Sequence, residues 1–182
     1  DISQNAHAQG DANWDGILYV REYVRQSPRP LNSVKIYGSG ARTHGGDSEH
    51  AVATFCRNVL GGLASSRFHR PPAGLGLCEI SMHCIGTIRQ IERCVRFWDL
   101  RPRKAVREGV YSSRAANGIE VVFFSLGVPV IYRPADSGRS FEVRWFDAAS
   151  GAQTTEKVVV GADGVDLKPP YPRNCFAVLI PV

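Results

Sequence analysis

The chain of 182 residues contains no stretch approaching the ~20 consecutive apolar residues that cross a bilayer, and no charged segment leads into an apolar core at its start. The sequence therefore predicts no membrane-spanning helix and shows no signal peptide. It begins with Asp1 rather than methionine, which is expected of a processed product or of a part of something longer. Its five cysteines, Cys56, Cys78, Cys84, Cys94 and Cys175, include no CxxC pair and no zinc spacing. An odd number cannot all pair within one chain. Cys84 and Cys94 fall on one predicted helix, where ten residues would hold them ~15 Å apart, too far for a bridge. Most of the five read as small buried hydrophobes, and neither metal nor cofactor is expected.

A basic stripe is lacking too. The 22 lysines and arginines are interleaved with 17 acids for a net charge of +5. The densest group, Arg101, Arg103, Lys104 and Arg107, has no aromatic residue among its members on which a base could stack. The segment reads as a solvated interdomain linker, and no nucleic-acid partner is expected.

What is present falls into two halves. The opening SQNAHAQGDANWDG has loop chemistry, with Asp15 placed to cap a helix in ILYVREYVR that Pro28 and Pro30 terminate. LNSVKIYG then reads as a strand. The strongest helical pattern follows Asp47 and Ser48, where Val52, Phe55, Cys56, Val59, Leu60 and Leu63 recur on one face. SSRFHR is the next strand, PPAGLGL a loop, and Ile80, Cys84, Ile88, Ile91, Val95 and Trp98 mark a third helix. After Pro102 the pattern alternates with period two. IEVVFFSL, FEVRWFDA, TEKVVVG and CFAVLIPV are its clearest strands, and they predict a small antiparallel β-sandwich.

Alternating strands and helices in the first half imply a parallel sheet, yet ~100 residues supply only about three strands, whereas a closed eight-stranded barrel takes about 250 residues. Three strands alone would leave an open edge and a bare face. The fold class expected is thus α/β plus all-β: residues 1–98 as the last strands and helices of a (β/α)8 barrel, 99–108 as a linker, and 109–182 as the sandwich. The missing strands would come from another polypeptide segment or chain.

The ordered set SQN at Ser3 to Asn5, PLNSVKIYG at Pro30 to Gly38 and FCRNVLGGLASSRFHRPPAGLGL at Phe55 to Leu77 resembles the apiosidase-like glycoside hydrolases. In that family a (β/α)8 barrel precedes a small β-sandwich that carries a collagen-binding label. FEVRWFDAASG at Phe141 to Gly151 and VDLKPP at Val165 to Pro170 are similar to that appended domain. The resemblance implies a secreted or periplasmic enzyme with a carbohydrate substrate, and a site at the strand ends faced by Asn5, Lys35, Tyr37, His69 and Arg70.

Residue chemistry points to the same neighbourhood. In RFHRPPAGLGL, Arg67, His69 and Arg70 stand beside rigid prolines and would hold hydrogen-bond donors near one point, as a polyol or an anion requires. The bland alternative is that Arg67 and Arg70 pair with carboxylates and His69 is a satisfied strand histidine. Glycoside hydrolysis needs two carboxyl groups about 5 to 9.5 Å apart. Where relatives often present a glutamate, this chain has Lys35, so the catalytic acids are expected outside the chain. Within it, Asp15 and Asp47 are the candidates, followed by Asp11, Glu49 and Glu79; Asp15 and Asp47 also fit as helix caps, and Glu49 and Glu79 as first-turn charges. His7 and His44 occupy loops within reach of a ligand, His50 and His83 read as helix-surface residues, and Trp14 and Tyr37 could stack on a sugar ring. Two functions follow: part of a hydrolase acting on an acidic plant or microbial polysaccharide, or a non-catalytic module that binds glycan or protein.

Overall fold

The structure, a computed structural model, describes residues 2–5, 9–38, 46–135 and 138–182. Its first half runs β1 (Ile2–Asn5), α1 (Gly10–Tyr23), β2 (Leu31–Ile36), α2 (Ser48–Leu60), β3 (Ser65–Phe68) and α3 (Glu79–Ile91). The three strands pair in parallel in the order β1-β2-β3. Asp47 caps α2 as expected, accepting a hydrogen bond from the His50 backbone N–H at 2.9 Å. Two local readings are corrected. The opening residues expected as a loop include β1, and α1 begins at Gly10 rather than Gly16, so that Asp15 lies inside the helix and caps nothing. The early start follows from tertiary contacts: Trp14 is fully buried against Tyr111, with ring centroids 5.2 Å apart, and its indole N–H donates to the Arg103 carbonyl at 2.9 Å.

A short 3-10 turn, Phe97–Asp99, leads into the strands. These are β4 (Arg101–Pro102), β5 (Val110–Arg114), β6 (Glu120–Leu126), β7 (Val130–Tyr132), β8 (Ser140–Asp147), β9 (Gln153–Val159), β10 (Val165–Leu167) and β11 (Arg173–Pro181). Six of them form one antiparallel sheet in the order β4-β5-β6-β11-β8-β9, while β7 and β10 pair separately. The period-two pattern gives this sheet two apolar faces. Val121, Phe123, Phe146, Phe176 and Val178 turn toward the helices. Val122, Phe124, Trp145, Cys175, Ala177 and Leu179 turn the other way and are covered by Tyr132, Val165 and Leu167 of the β7–β10 ribbon.

The expected α/β plus all-β arrangement, the end of a (β/α)8 barrel followed by a small antiparallel β-sandwich, is not what forms. Among the described residues there are three α-helices and mostly antiparallel sheet, which is a small α+β fold. The physical reason lies in α2, where Ala51 to Asn58 are all buried. Such a helix has two faces to cover: one packs on β2 and β3, and the other on β5, β6 and β11. α2 thereby covers one face of the three-stranded parallel sheet and joins it to the antiparallel sheet, while Ser65 and Arg67 of β3 remain exposed. One core runs from Trp14, Ile36 and Leu60 through Ile88 to Phe123 and Phe176.

Burial also explains the basic segment before β5. Leu100 is 1% exposed, Arg103 reaches the buried Glu120 carboxylate at 3.3 Å, and Arg101 donates to the Trp98 carbonyl. No helix among the described residues is long and apolar enough to cross a membrane.

Candidate functional site

The alternation of β3 sends Phe68 inward, where it stacks on Phe55 with centroids 4.7 Å apart, while Arg67 stays exposed. The His69 backbone N–H then donates to the Ile36 carbonyl at 2.8 Å, which extends the β2–β3 pairing by one residue and places His69 beside the end of β2. There the Tyr37 and His69 rings meet at 5.0 Å between centroids, inclined by 59°.

The loop after Arg70 is folded tightly back on this point. The Arg70 carbonyl accepts from Ala73 and Gly74, the His69 carbonyl accepts from Gly76 at 2.8 Å, and the Gly38 N–H donates to the Ala73 carbonyl at 3.3 Å. Gly74 is required by proximity rather than by dihedral angle: a Cβ there would stand 2.4 Å from the His69 carbonyl oxygen. Gly38 is required by both. Its φ is +143°, and a Cβ would meet the Asp47 carbonyl oxygen and the Ala51 Cβ at 2.5 Å.

These constraints shape a cavity of about 790 Å³ at the C-terminal ends of β2 and β3. Lys35, Arg67, His69 and Arg70 supply its polar wall, and Phe55 and Leu77 part of its apolar one. Arg67 is already committed, donating from Nε to the Val34 carbonyl at 3.3 Å. Lys35 and Arg70 form no ion pair with a described carboxylate, and among the described residues no aspartate or glutamate lines the cavity. Cations beside an apolar floor can hold a ligand that carries a carboxylate and an apolar ring face. The described wall offers no pair of acids of the kind glycoside hydrolysis uses.

Four of the sequence-selected residues, Lys35, Arg67, His69 and Arg70, thus line one cavity, and Tyr37 touches it through His69. Asn5 lies in β1 in register with Lys35. His7 and His44 lie outside the described residues. Trp14 is core and offers no platform to a sugar, and Asp15 is exposed on α1 away from the cavity. Asp47 and Glu49 stand at the start of α2, where Glu49 pairs with Arg173, and Glu79 is exposed in the first turn of α3. His83, expected on a helix surface, lies 3.0 Å from the Ala149 carbonyl through Nδ1.

The sequence reading passed over a buried polar cluster between the halves. Arg57 is 2% exposed; its Nε donates to Asn13 Oδ1 at 2.9 Å, its Nη2 donates to Thr54 Oγ1 at 3.1 Å, and its guanidinium lies 5.5 Å from the centre of the Tyr111 ring. Tyr111 in turn donates to Asp11 Oδ1 at 2.7 Å. Burial lowers the Arg57 pKa, opposed chiefly by Tyr111, and burial with the Asp11 bond raises that of the phenol. The signal available in the sequence was an arginine and an asparagine, Arg57 and Asn58, set within the apolar run of α2.

Among the described residues no three His, Cys, Asp or Glu side chains gather as a metal site requires. No family model matches the chain, and no curated protein matches it in sequence.

Proposed function

We propose that this chain is the glycan-binding part of a carbohydrate-active hydrolase and that its ligand is an acidic glycan. The observation that carries the reading is the cavity at the ends of β2 and β3, where Lys35 and Arg70 have no carboxylate partner among the described residues and His69 stands against the Tyr37 ring. A uronate carboxylate would be held by Arg70 and Lys35, and ring hydroxyls would hydrogen-bond His69 and Tyr37. Tyr37, His69 and Arg70 lie in the segments that resemble the apiosidase-like glycoside hydrolases, whereas Lys35 stands where those relatives often present a glutamate. The acids for bond cleavage would come from a polypeptide segment outside this chain.

A second reading, a non-catalytic glycan- or protein-binding module, is favoured by the same absence of an acid from the cavity wall. Calorimetric titration with an oligogalacturonate and with a neutral oligosaccharide, combined with a reducing-end assay, separates the two. Preference for the acidic ligand is expected, with Arg70→Ala weakening it by about 10-fold, the equivalent of one charge-assisted hydrogen bond. Equal affinity of wild type and Arg70→Ala would remove the cavity from the function. Reducing ends released by the chain alone would show that the acids lie within it.

A further inference from the structure

A second cavity, of about 680 Å³, lies at the opposite end of the parallel strands, between the last turns of α1, the start of β2 and the segment around β4. It shares no lining residue with the cavity at the ends of β2 and β3, and its reading is independent of the proposed function. Arg21, Arg25, Arg29, Arg101 and Lys104 line it, and Glu22 is the one carboxylate among the described lining residues. Glu22 is already paired with Arg25 at 3.1 Å. The other four cations have no carboxylate partner among the described residues.

Arg21 is the member that the fold holds in place. Its Nη1 donates to the Gly61 carbonyl at 3.0 Å and to the Gly62 carbonyl at 3.3 Å, at the carbonyl end of α2. Gly62, at φ +79°, has no side chain to obstruct this, and a Cβ there would collide with Nη1. The guanidinium is thereby fixed half-buried, with Nε and Nη2 left to donate elsewhere. Burial lowers its pKa, and the charge of Arg101 lowers it further. Two like charges in each other's field, one of them partly stripped of water, call for an anion between them. Arg101 commits one bond to the Trp98 carbonyl at 3.4 Å and keeps its remaining nitrogens. The carbonyl ends of α1 and α2 supply about half a negative charge each, too little for four unpaired cations.

We propose that this cavity binds the phosphate chain of a small oligophosphate, whose oxygens accept from the free nitrogens of Arg21 and Arg101 and from Lys104. A phosphate presents acceptors in several directions to guanidiniums and an ammonium converging from different elements, and linked phosphates bring enough charge for several cations.

The test is calorimetric titration of the chain with pyrophosphate at fixed ionic strength, with citrate as a carboxylate polyanion and adenosine diphosphate as a nucleotide. Saturable binding of pyrophosphate, tighter than that of citrate, is expected. Arg101→Gln and Lys104→Gln alter exposed side chains that carry no buried contact, and each should weaken binding about 10-fold, the equivalent of one charge-assisted hydrogen bond. Lys157→Gln removes the same charge from exposed β9, at the other edge of the six-stranded sheet from β4, and should leave binding unchanged. Adenosine diphosphate binding at least as tightly as pyrophosphate would assign the phosphates to a nucleotide, and weaker binding would assign them to a free anion; either supports the site. Absence of saturable pyrophosphate binding, equal binding of citrate, or an equal loss in Lys157→Gln and Lys104→Gln would each overturn the proposal.

Discussion

Replacing Glu120 by glutamine tests whether the polar joint between β6, the segment before β5 and the β7 strand of the two-stranded ribbon is held by charge. Glu120 is 1% exposed at the start of β6. Its Oε2 accepts from the Tyr132 hydroxyl and from Arg103 at 3.3 Å, and its Oε1 accepts from the Ala135 N–H at 2.8 Å and faces Arg114 at 3.8 Å. Every neighbour is a donor. A glutamine of the same shape must present its NH2 to one set of them, turning accepted bonds into donor against donor. Loss of one partner from a buried pair costs up to about 3–5 kcal/mol. Arg103 and Arg114 are 44% and 34% exposed in their side chains and can be rehydrated, so about 2–3 kcal/mol is expected after that discount. For a chain of this size the loss lowers Tm by ~4–12 °C. Urea unfolding should show a lower midpoint with unchanged slope. The control is Glu142→Gln, which removes a partly exposed pair with Arg144 at 2.6 Å and should stay within about 0.5 kcal/mol. A loss under about 0.5 kcal/mol in Glu120→Gln, or an equal loss in both variants, would refute the argument.

Three further outcomes are expected. His50 is held below its ordinary pKa first by burial and then by Arg57, with Asp47 opposing, so the unfolded chain takes up this proton first as pH falls through about 6.5. Its contribution to stability is present above that pH and is lost below it; denaturation followed from pH 7 to 5 should therefore show a shallower decline in His50→Gln, and an unchanged decline would exclude His50 as its source. Burial pushes Cys84 and Cys175 up to about 12 and raises Cys56 well above its usual value, whereas Cys78 is exposed. Thiol titration of the native chain should modify Cys78 first and spare those three until unfolding, and rapid native modification of Cys56 would contradict the packing of α2. Gly74→Ala would force a Cβ to 2.4 Å from the His69 carbonyl oxygen and should cost ~1–3 kcal/mol while displacing His69 and Arg70; wild-type stability measured by urea unfolding would show that the loop yields freely.

The elements whose patterns are local were legible. α2 follows from apolar spacing behind the Asp47 cap, and β6, β8, β9 and β11 follow from alternation bounded by turns. The grouping of Lys35, Arg67, His69 and Arg70 could also be read, because two adjacent parallel strands bring their ends together. β1 and the start of α1 were missed, since their residues carry turn chemistry and are drawn into place by β2, Tyr111 and Arg103. What lies against α2 was misjudged as well: periodicity marks a helix face as apolar but does not say that β5, β6 and β11 will pack on it.

The sequence by itself determined the period of each element, the cap of α2, the turn positions and the cations at the end of β3, because these depend on neighbours a few residues apart. Only the tertiary structure decided that α2 is buried on both sides and that Arg57 meets Asn13 across 44 residues. It alone set Asn174 over Glu49 across 125 residues. Those pairings arise when buried polar groups must find partners wherever packing places them, and no local pattern encodes that choice.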